Sequence, residues 1–288
     1  MKKNMTQIIS GKLLSQKLKD NMKKEVETLV SPPHLVVILV GDNPASVSYV
    51  NGKAKACQYV GIKDTIIRLE SNVSEKKIIR LIQSLNRDSK VDGILVQLPL
   101  PKHIDERKVL ESIAIEKDVD GFHPSNVAKL WLKEPCILPC TPKGIIKLLD
   151  EAGVEVSGKE AVVIGRSNIV GLPIAKLLLD RNATVTITHS KSVDLGGICR
   201  RADILIVAVG KPRVVSAGMV KEGAVVIDVG VNRGEDGKLC GDVDFESVSS
   251  VASVITKVPG GVGPMTICCL MENVIEAYKM KMEVLKNE

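Results

Sequence analysis

Aromatic side chains are scarce in this chain: one Trp, three Tyr and two Phe among 288 residues, or 2%. The cores must therefore be aliphatic, built from Val, Ile and Leu. The stacking platforms on which single-stranded nucleic acids depend are largely missing. Dense blocks of Lys and Arg are also absent. The net charge of +6, from 40 basic and 34 acidic residues, suits an anionic small molecule at least as well as a polynucleotide. No apolar run approaches the 18 residues of a membrane span, and residues 1–10 carry two lysines but no apolar stretch of the kind a signal peptide needs. The seven cysteines are scattered and form no C-x-x-C pair, which points to reduced thiols in a cytoplasmic protein. His34, His103, His123 and His189 lie far apart in sequence, so no metal site is expected.

What is present is a chain with 44% hydrophobic and 26% charged residues, long enough to bury two cores of ordinary domain size. Its organising stretch is A-V-V-I-G-R-S-N-I-V-G-L-P, residues 161–173. Four apolar residues read as a buried parallel strand that ends at Gly165, and from about Ile169 the spacing turns helical. A strand turning sharply into a helix aims free N–H groups and a positive dipole end at the turn, which favours a phosphate. Gly165 permits the turn, and Gly171 lets helix and strand approach closely. The pattern is G-x-S-x-x-x-G where G-x-G-x-x-G is the usual dinucleotide fingerprint, so a dinucleotide site competes with a plain strand–turn–helix corner. A second strand over 184–188 ends in His189, Ser190 and Lys191, where an NAD site carries an acidic residue for the ribose hydroxyl. A hydroxyl and a cation stand there instead, with Arg166 in the first turn. The pattern leans towards the 2′-phosphate of NADP; the alternative is that Arg166 and Lys191 are solvated surface charges.

Elsewhere the chain alternates helical and strand patterns. Helices are expected over 11–29, 45–59, 74–85 (capped by Ser74) and 104–113, and strands over 34–40, 64–69 and 93–98. Thr141-Pro142 reads as a helix start with a capping hydroxyl, the helix stopping at Gly153. Strands follow over 161–164, 184–188, 203–209, 224–229 and 252–258, with a hairpin at Asp236-Gly237. A loop P-G-G-V-G-P precedes a closing helix over about 265–284. Such alternation means βαβ units and parallel sheets, with ligand sites at the carboxyl ends of the strands.

Several residues could carry chemistry. Tyr49 and Lys53 stand four apart and share a helix face. Such pairs also occur on solvated helices, but Ala54, Ala56 and Cys57 surround the lysine with small residues and suggest a packed helix. Gln97 closes the run G-I-L-V-Q-L-P-L-P, either as a satisfied core amide or at an active site. Asp118 and Asp120 share the loop K-D-V-D-G-F-H-P. One could cap a turn, and Asp120, before Gly121, is the one expected to face a cleft.

Six segments together carry a resemblance: S-V-S-Y-V-N-G-K-A-K-A at 46–56, D-G-I-L-V-Q-L-P-L-P at 92–101, K-D-V-D-G-F-H-P at 117–124, P-C-T-P at 139–142, G-R-S-N-I-V-G-L-P at 165–173 and P-G-G-V-G-P-M-T at 259–266. In this order, over nearly the whole chain, they resemble the bifunctional methylenetetrahydrofolate dehydrogenase/methenyltetrahydrofolate cyclohydrolases. Ala128, where glycine is expected, departs from that pattern but touches no residue given a chemical role. The resemblance implies an α/β fold of two domains with the active-site cleft between them. An N-terminal αβα folate-binding catalytic domain, 1–140, is completed by the C-terminal helix 264–288, and a Rossmann-type NADP-binding domain covers 141–263. It implies NADP-dependent oxidation of 5,10-methylenetetrahydrofolate to the methenyl form and hydrolysis of that form to 10-formyltetrahydrofolate, in one-carbon metabolism that serves purine biosynthesis. Lys53 would be the key polar catalyst, with Tyr49 stacking near the reacting centre, Gln97 holding the lysine and Asp120 binding the pterin. Pro259 and Gly260 would touch the folate. Gly165, Arg166, Ser167 and Ser190 would hold the cofactor phosphates, and Thr141, Gly210, Val231 and Thr266 would line its nicotinamide side. Tetrahydrofolates, free or polyglutamylated, would be the substrates of a cytoplasmic homodimer formed through the nucleotide domain. No metal, nucleic acid or membrane partner is implied.

Two other readings fit parts of the chain. A shikimate-type or amino-acid NADP dehydrogenase shares the nucleotide half but gives no reason for the placing of Tyr49, Gln97 and Asp120. A catalytically silent dinucleotide-binding protein would have no need of Lys53 or Asp120.

Overall fold

The computed structural model describes residues 6–234 and 236–287. From its start the chain forms β1 (Gln7–Ile9), α1 (Gly11–Val26), β2 (His34–Val40), α2 (Pro44–Val60), β3 (Lys63–Leu69), α3 (Glu75–Arg87) and β4 (Gly93–Val96). It continues through α4 (Glu106–Glu111), α5 (Pro124–Leu132), α6 (Cys140–Glu151), β5 (Glu160–Ile164), α7 (Gly171–Asp180), β6 (Thr184–Thr188) and α8 (Leu195–Cys199). Then follow β7 (Ile204–Val207), β8 (Val225–Asp228), β9 (Asn232–Arg233), β10 (Leu239–Cys240), α9 (Phe245–Val248), β11 (Val254–Thr256) and α10 (Val262–Asn287). The chain divides into two compact units. Among the described residues, one takes Lys17–Cys140 with 267–287; the other takes 6–16 with 141–266.

The first of these units is built on a parallel sheet of order β3-β2-β4. Alternation along β2 feeds two cores. Leu35, Val37 and Leu39 point to one face, where they meet α1, α2 and α10 through Met22, Val50, Cys57, Met271 and Val274. Val36, Ile38 and Val40 point to the other, against Ile78 and Ile82 of α3 and Val109 of α4. The result is an αβα sandwich, and β2 is buried along its whole length. At about 25 cal/mol per Å2 each of these fully buried aliphatic side chains contributes about 1.5–3 kcal/mol. The hydroxyl of Ser74 makes no capping bond to α3, contrary to expectation, and α3 relies on a strongly apolar face instead.

In the other unit six parallel strands run in the order β1-β11-β8-β7-β5-β6. Val162, Leu205, Val226 and Ile255 alternate into one core, while Val163, Ile206 and Ile227 face the opposite side and are equally buried. The strand order reverses at β5, from which β6 and β7 leave on opposite sides, so the crevice at its carboxyl end is the place for a ligand. Residues 6–16 fall in this unit and not in the unit expected over 1–140, because β1 pairs with β11, Ile8 opposite Ile255. The short antiparallel pair β9–β10 confirms the hairpin at Asp236-Gly237. Among the described residues no helix is long and apolar enough to cross a membrane.

Candidate active site

In the αβα unit, α2 starts cleanly because the Asn43 Oδ1 accepts from the N–H groups of Ala45 and Ser46, and Pro44 occupies the first turn. It ends at Gly61, whose φ of 90° lies in the left-handed region. Between these limits, helical spacing turns Ser46, Val50, Lys53, Cys57 and Val60 inward. Lys53 is only 8% exposed. Its Nζ donates to the Gln97 Oε1 at 3.0 Å. Gln97 follows β4 directly, its backbone N–H donating to the Ile38 carbonyl and its Nε2 to the Leu98 carbonyl at 2.7 Å. The amide is thereby oriented with its oxygen towards the lysine. Tyr49, one turn before Lys53, keeps 36% of its surface exposed, and burial of the rest raises its hydroxyl pKa.

The two loop aspartates separate into distinct roles. Asp118 is buried and accepts from the His123 N–H and the Asn126 Nδ2, each at 2.8 Å, so it builds the loop. Asp120 is held up by its surroundings. Gly121, at φ 70°, lets the chain lie against residues 137–139, where an added Cβ would come within 2.7 Å of the Ile137 carbonyl oxygen. From α10 the Asn273 Nδ2 donates to the Val119 and Leu138 carbonyls at 2.8 and 2.9 Å. Burial pushes the Asp120 carboxyl above the usual carboxylate range; the Lys53 ammonium pulls it back, Asp118 pushes it further up and the Cys140 thiol, 3.6 Å away, favours the charged form. Lys53, Gln97 and Asp120 therefore belong to one electrostatic group. Cys140 and Asn273 escaped the sequence reading; their only signal there is polarity inside apolar helical runs.

In the six-stranded unit the turn after β5 is as tight as its glycines suggest. Gly165 has φ 117°, and a Cβ on it would lie 2.2 Å from the Ala208 carbonyl oxygen. A Cβ on Gly171 would lie 2.3 Å from the Gly165 carbonyl oxygen. The Ser167 Oγ accepts from Val170 and Gly171 N–H at 3.2 and 3.3 Å, which leaves its O–H free to donate. Arg166 and Ser190 are exposed at the ends of β5 and β6. In the turn after β6 the His189 Nδ1 accepts from the Lys191 N–H at 3.2 Å. Gly210 and Val231 follow β7 and β8, both exposed, with Gly210 at φ 65°. Thr141 does not cap α6, which begins one residue earlier at Cys140; its hydroxyl bonds the Thr266 hydroxyl at 2.9 Å. Pro259 is exposed, and the Gly260 carbonyl accepts from the Lys12 N–H at 2.9 Å. Two further residues went unread in the sequence. Asp228 and Asp242 are 3% and 0% exposed and hold the chain after β7 and β8. An acid closing the apolar run A-V-V-I-D was the one available sign of them.

A glycine-lined turn at the reversal point of a parallel sheet, with an exposed arginine beside it, fits a dinucleotide phosphate. A separate αβα unit carries a buried lysine, an amide and a carboxylate. These features define a two-unit α/β enzyme of the dinucleotide-dependent dehydrogenase class. Residues 9–120 match the family model of the tetrahydrofolate dehydrogenase/cyclohydrolase catalytic domain, and residues 139–282 that of the tetrahydrofolate dehydrogenase/cyclohydrolase NAD(P)-binding domain. The chain belongs to the tetrahydrofolate dehydrogenase/cyclohydrolase family. It is 57% identical over 283 residues to the bifunctional protein FolD of Campylobacter hominis, covering 97% of this chain and all of that one. The structure of the bifunctional FolD methylenetetrahydrofolate dehydrogenase/cyclohydrolase from Campylobacter jejuni superposes with a TM-score of 0.94 at 51% identity, over 95% of this chain and 99% of that one. The Trypanosoma brucei enzyme, solved with NADP cofactor and inhibitor, gives 0.92 at 36% identity, over 96% and 98%. A shikimate dehydrogenase from Aquifex aeolicus, at 15% identity and a TM-score of 0.52 over 86% and 92% of the two chains, shares the fold alone.

Proposed function

We propose that this protein oxidises 5,10-methylenetetrahydrofolate to the 5,10-methenyl form with NADP and hydrolyses that product to 10-formyltetrahydrofolate. The observation that carries the reading is the buried Lys53 Nζ bonded to the Gln97 Oε1, electrostatically coupled to Asp120, in the unit that matches the catalytic-domain family. Lys17–Cys140 with the chain from Ile267 onward would be the folate unit, corresponding to the expected 1–140 with 264–288. Thr141–Thr266 would be the nucleotide unit, corresponding to the expected 141–263.

The protein's own groups are suited to these steps. A carboxylate at Asp120 accepts the two parallel N–H bonds of an aminopyrimidine edge and so orients the pterin. By the family resemblance Tyr49 would stack on the substrate, and Pro259 and Gly260 would touch the folate. Gly165, Arg166 and Ser167 receive the cofactor phosphates, with Arg166 and Ser190 at the 2′-phosphate, while Thr141, Gly210, Val231 and Thr266 line the nicotinamide side. NADP, when bound, supplies the hydride acceptor. Hydride leaves with both electrons and no proton, so the first reaction needs no protein base. Water adding to the methenyl cation must lose a proton, and ring opening requires a donor; Lys53, kept in place by Gln97, serves that exchange. With substrates free or polyglutamylated, the protein would serve one-carbon metabolism that supports purine biosynthesis, acting as a cytoplasmic homodimer that associates through the nucleotide unit.

The test is direct. Purified protein given methylenetetrahydrofolate and NADP should form NADPH and the methenyl absorbance band, and should hydrolyse supplied methenyltetrahydrofolate without cofactor. A protein that reduces NADP only with a small hydroxy acid, or with nothing, would refute the assignment.

A further inference from the structure

Asp242 has no side-chain exposure, and among the described residues no Lys or Arg pairs with it. Four N–H donors surround it instead. Its Oδ2 accepts from Val209 at 2.7 Å and Gly210 at 2.9 Å; its Oδ1 accepts from Lys211 at 2.9 Å and from the Asn232 Nδ2 at 2.8 Å. Three consecutive backbone N–H groups of the chain leaving β7 thus converge on one carboxylate, together with the first residue of β9. Asp242 is itself seated by a second buried carboxylate. The Asp228 Oδ1 accepts from the N–H of Asp242 and of Gly230, and its Oδ2 from Val243, each at 3.0 Å.

Two glycines make room for this arrangement. A Cβ on Gly230 would stand 2.2 Å from the Asp242 Oδ1, and one on Gly241 only 1.8 Å from the Asp228 Oδ2. Buried carboxylates without cations are expensive to maintain for folding alone, where an apolar pair would fill the same space. What they achieve here is geometric. Gly210 is gripped through its own N–H. Val231 lies between two anchored residues, Gly230 on Asp228 and Asn232 on Asp242, which leaves its side chain 44% exposed at the carboxyl end of the sheet.

We infer that Asp242, seated by Asp228, is the positioning residue that sets Gly210 and Val231 for the nicotinamide half of NADP. The inference rests on the reading of those two residues given above. The carboxylate touches no part of the reaction. It ties the chain after β7 and the chain after β8 to one point, so that the two sides of the nicotinamide seat move together.

Asp242→Asn keeps the shape but turns one oxygen into an NH2 that faces two donors. The measurement is calorimetric binding of NADP and of adenosine 2′,5′-bisphosphate, which carries only the Arg166 and Ser190 half of the ligand. NADP should bind about tenfold more weakly to the variant, a loss of about 1.4 kcal/mol, while the bisphosphate binds as to wild type. Cyclohydrolase turnover without NADP should also stay at the wild-type rate. Equal weakening of both ligands would show a general structural role and overturn the inference, as would unchanged NADP binding. Wild-type protein that binds neither ligand would instead sink the cofactor reading itself. If Asp242→Asn does not fold, Asn232→Ala decides: it removes one of the four donors, and should weaken NADP about threefold with the bisphosphate unaffected. Wild-type NADP affinity in Asn232→Ala would then overturn the proposal.

Discussion

Replacing Gly171 by Ala tests the phosphate turn with one methyl group. The added Cβ would lie 2.3 Å from the Gly165 carbonyl oxygen, 2.6 Å from its carbon and 2.9 Å from the Arg166 Cα. All three are backbone atoms, so no side chain can swing aside. Ordinary contact begins near 3.4 Å, so the start of α7 must retreat from the turn by about 1 Å, the difference between 3.4 and 2.3. The Ser167 Oγ already reaches Val170 and Gly171 N–H at 3.2 and 3.3 Å, and a shift of that size breaks both bonds. Overpacking of this kind costs about 1–3 kcal/mol, and the same displacement carries the helix N–H groups away from a bound phosphate. NADP affinity, followed by fluorescence titration, should fall about tenfold or more, with cyclohydrolase activity measured without cofactor unchanged. Gly218→Ala is the control, since a Cβ there meets nothing within 4 Å and φ is not positive. Wild-type NADP affinity in Gly171→Ala would refute the argument that this turn cradles the phosphates.

Three further outcomes follow from the same geometry. Lys53→Met keeps the buried stem and removes the ammonium on Gln97, so methenyltetrahydrofolate hydrolysis should drop about 10²–10⁴-fold while hydride transfer falls far less and the methenyl intermediate accumulates in the absorbance trace; hydrolysis at the wild-type rate would remove Lys53 from the mechanism. Arg166→Ala should raise the KM for NADP much more than that for NAD, because only NADP loses a charge-assisted phosphate contact, and equal changes would count against a 2′-phosphate role. Burial pushes the Asp228 carboxyl up to about 6 in spite of its three N–H donors, so the folded state binds its proton more tightly than the unfolded state does. The stability it contributes is fully present below about pH 4 and lost as pH rises through 6, a change of about 3 kcal/mol. Urea midpoints of wild type and Asp228→Asn between pH 4 and 8 should therefore move against the wild type by that amount, and a gap independent of pH would refute the shift.

The alternation of strands and helices was legible in the chain because each buried parallel strand is a short apolar run closed by a turn, and each helix repeats its apolar positions every three to four residues. The same local character exposed Gly165 and Gly171, whose spacing states where a strand gives way to a helix, and placed Tyr49 and Lys53 on one face of α2. Strand β1 was not visible, since three residues with only Ile9 buried have too little periodicity to register; pairing with β11, more than 240 residues later, made them a strand. Ser74 and Thr141 looked like caps, yet a hydroxyl takes whichever partner the fold brings nearest, and for Thr141 that was Thr266. Asp228 and Asp242 show the limit most clearly. In the sequence each is one acidic residue among 34; their meaning comes from N–H donors up to 33 positions away, gathered by the parallel order of β7 and β8. Backbone periodicity is a short-range property that residues carry with them, whereas the convergence of donors on a buried charge exists only once the sheet has brought distant loops to one edge.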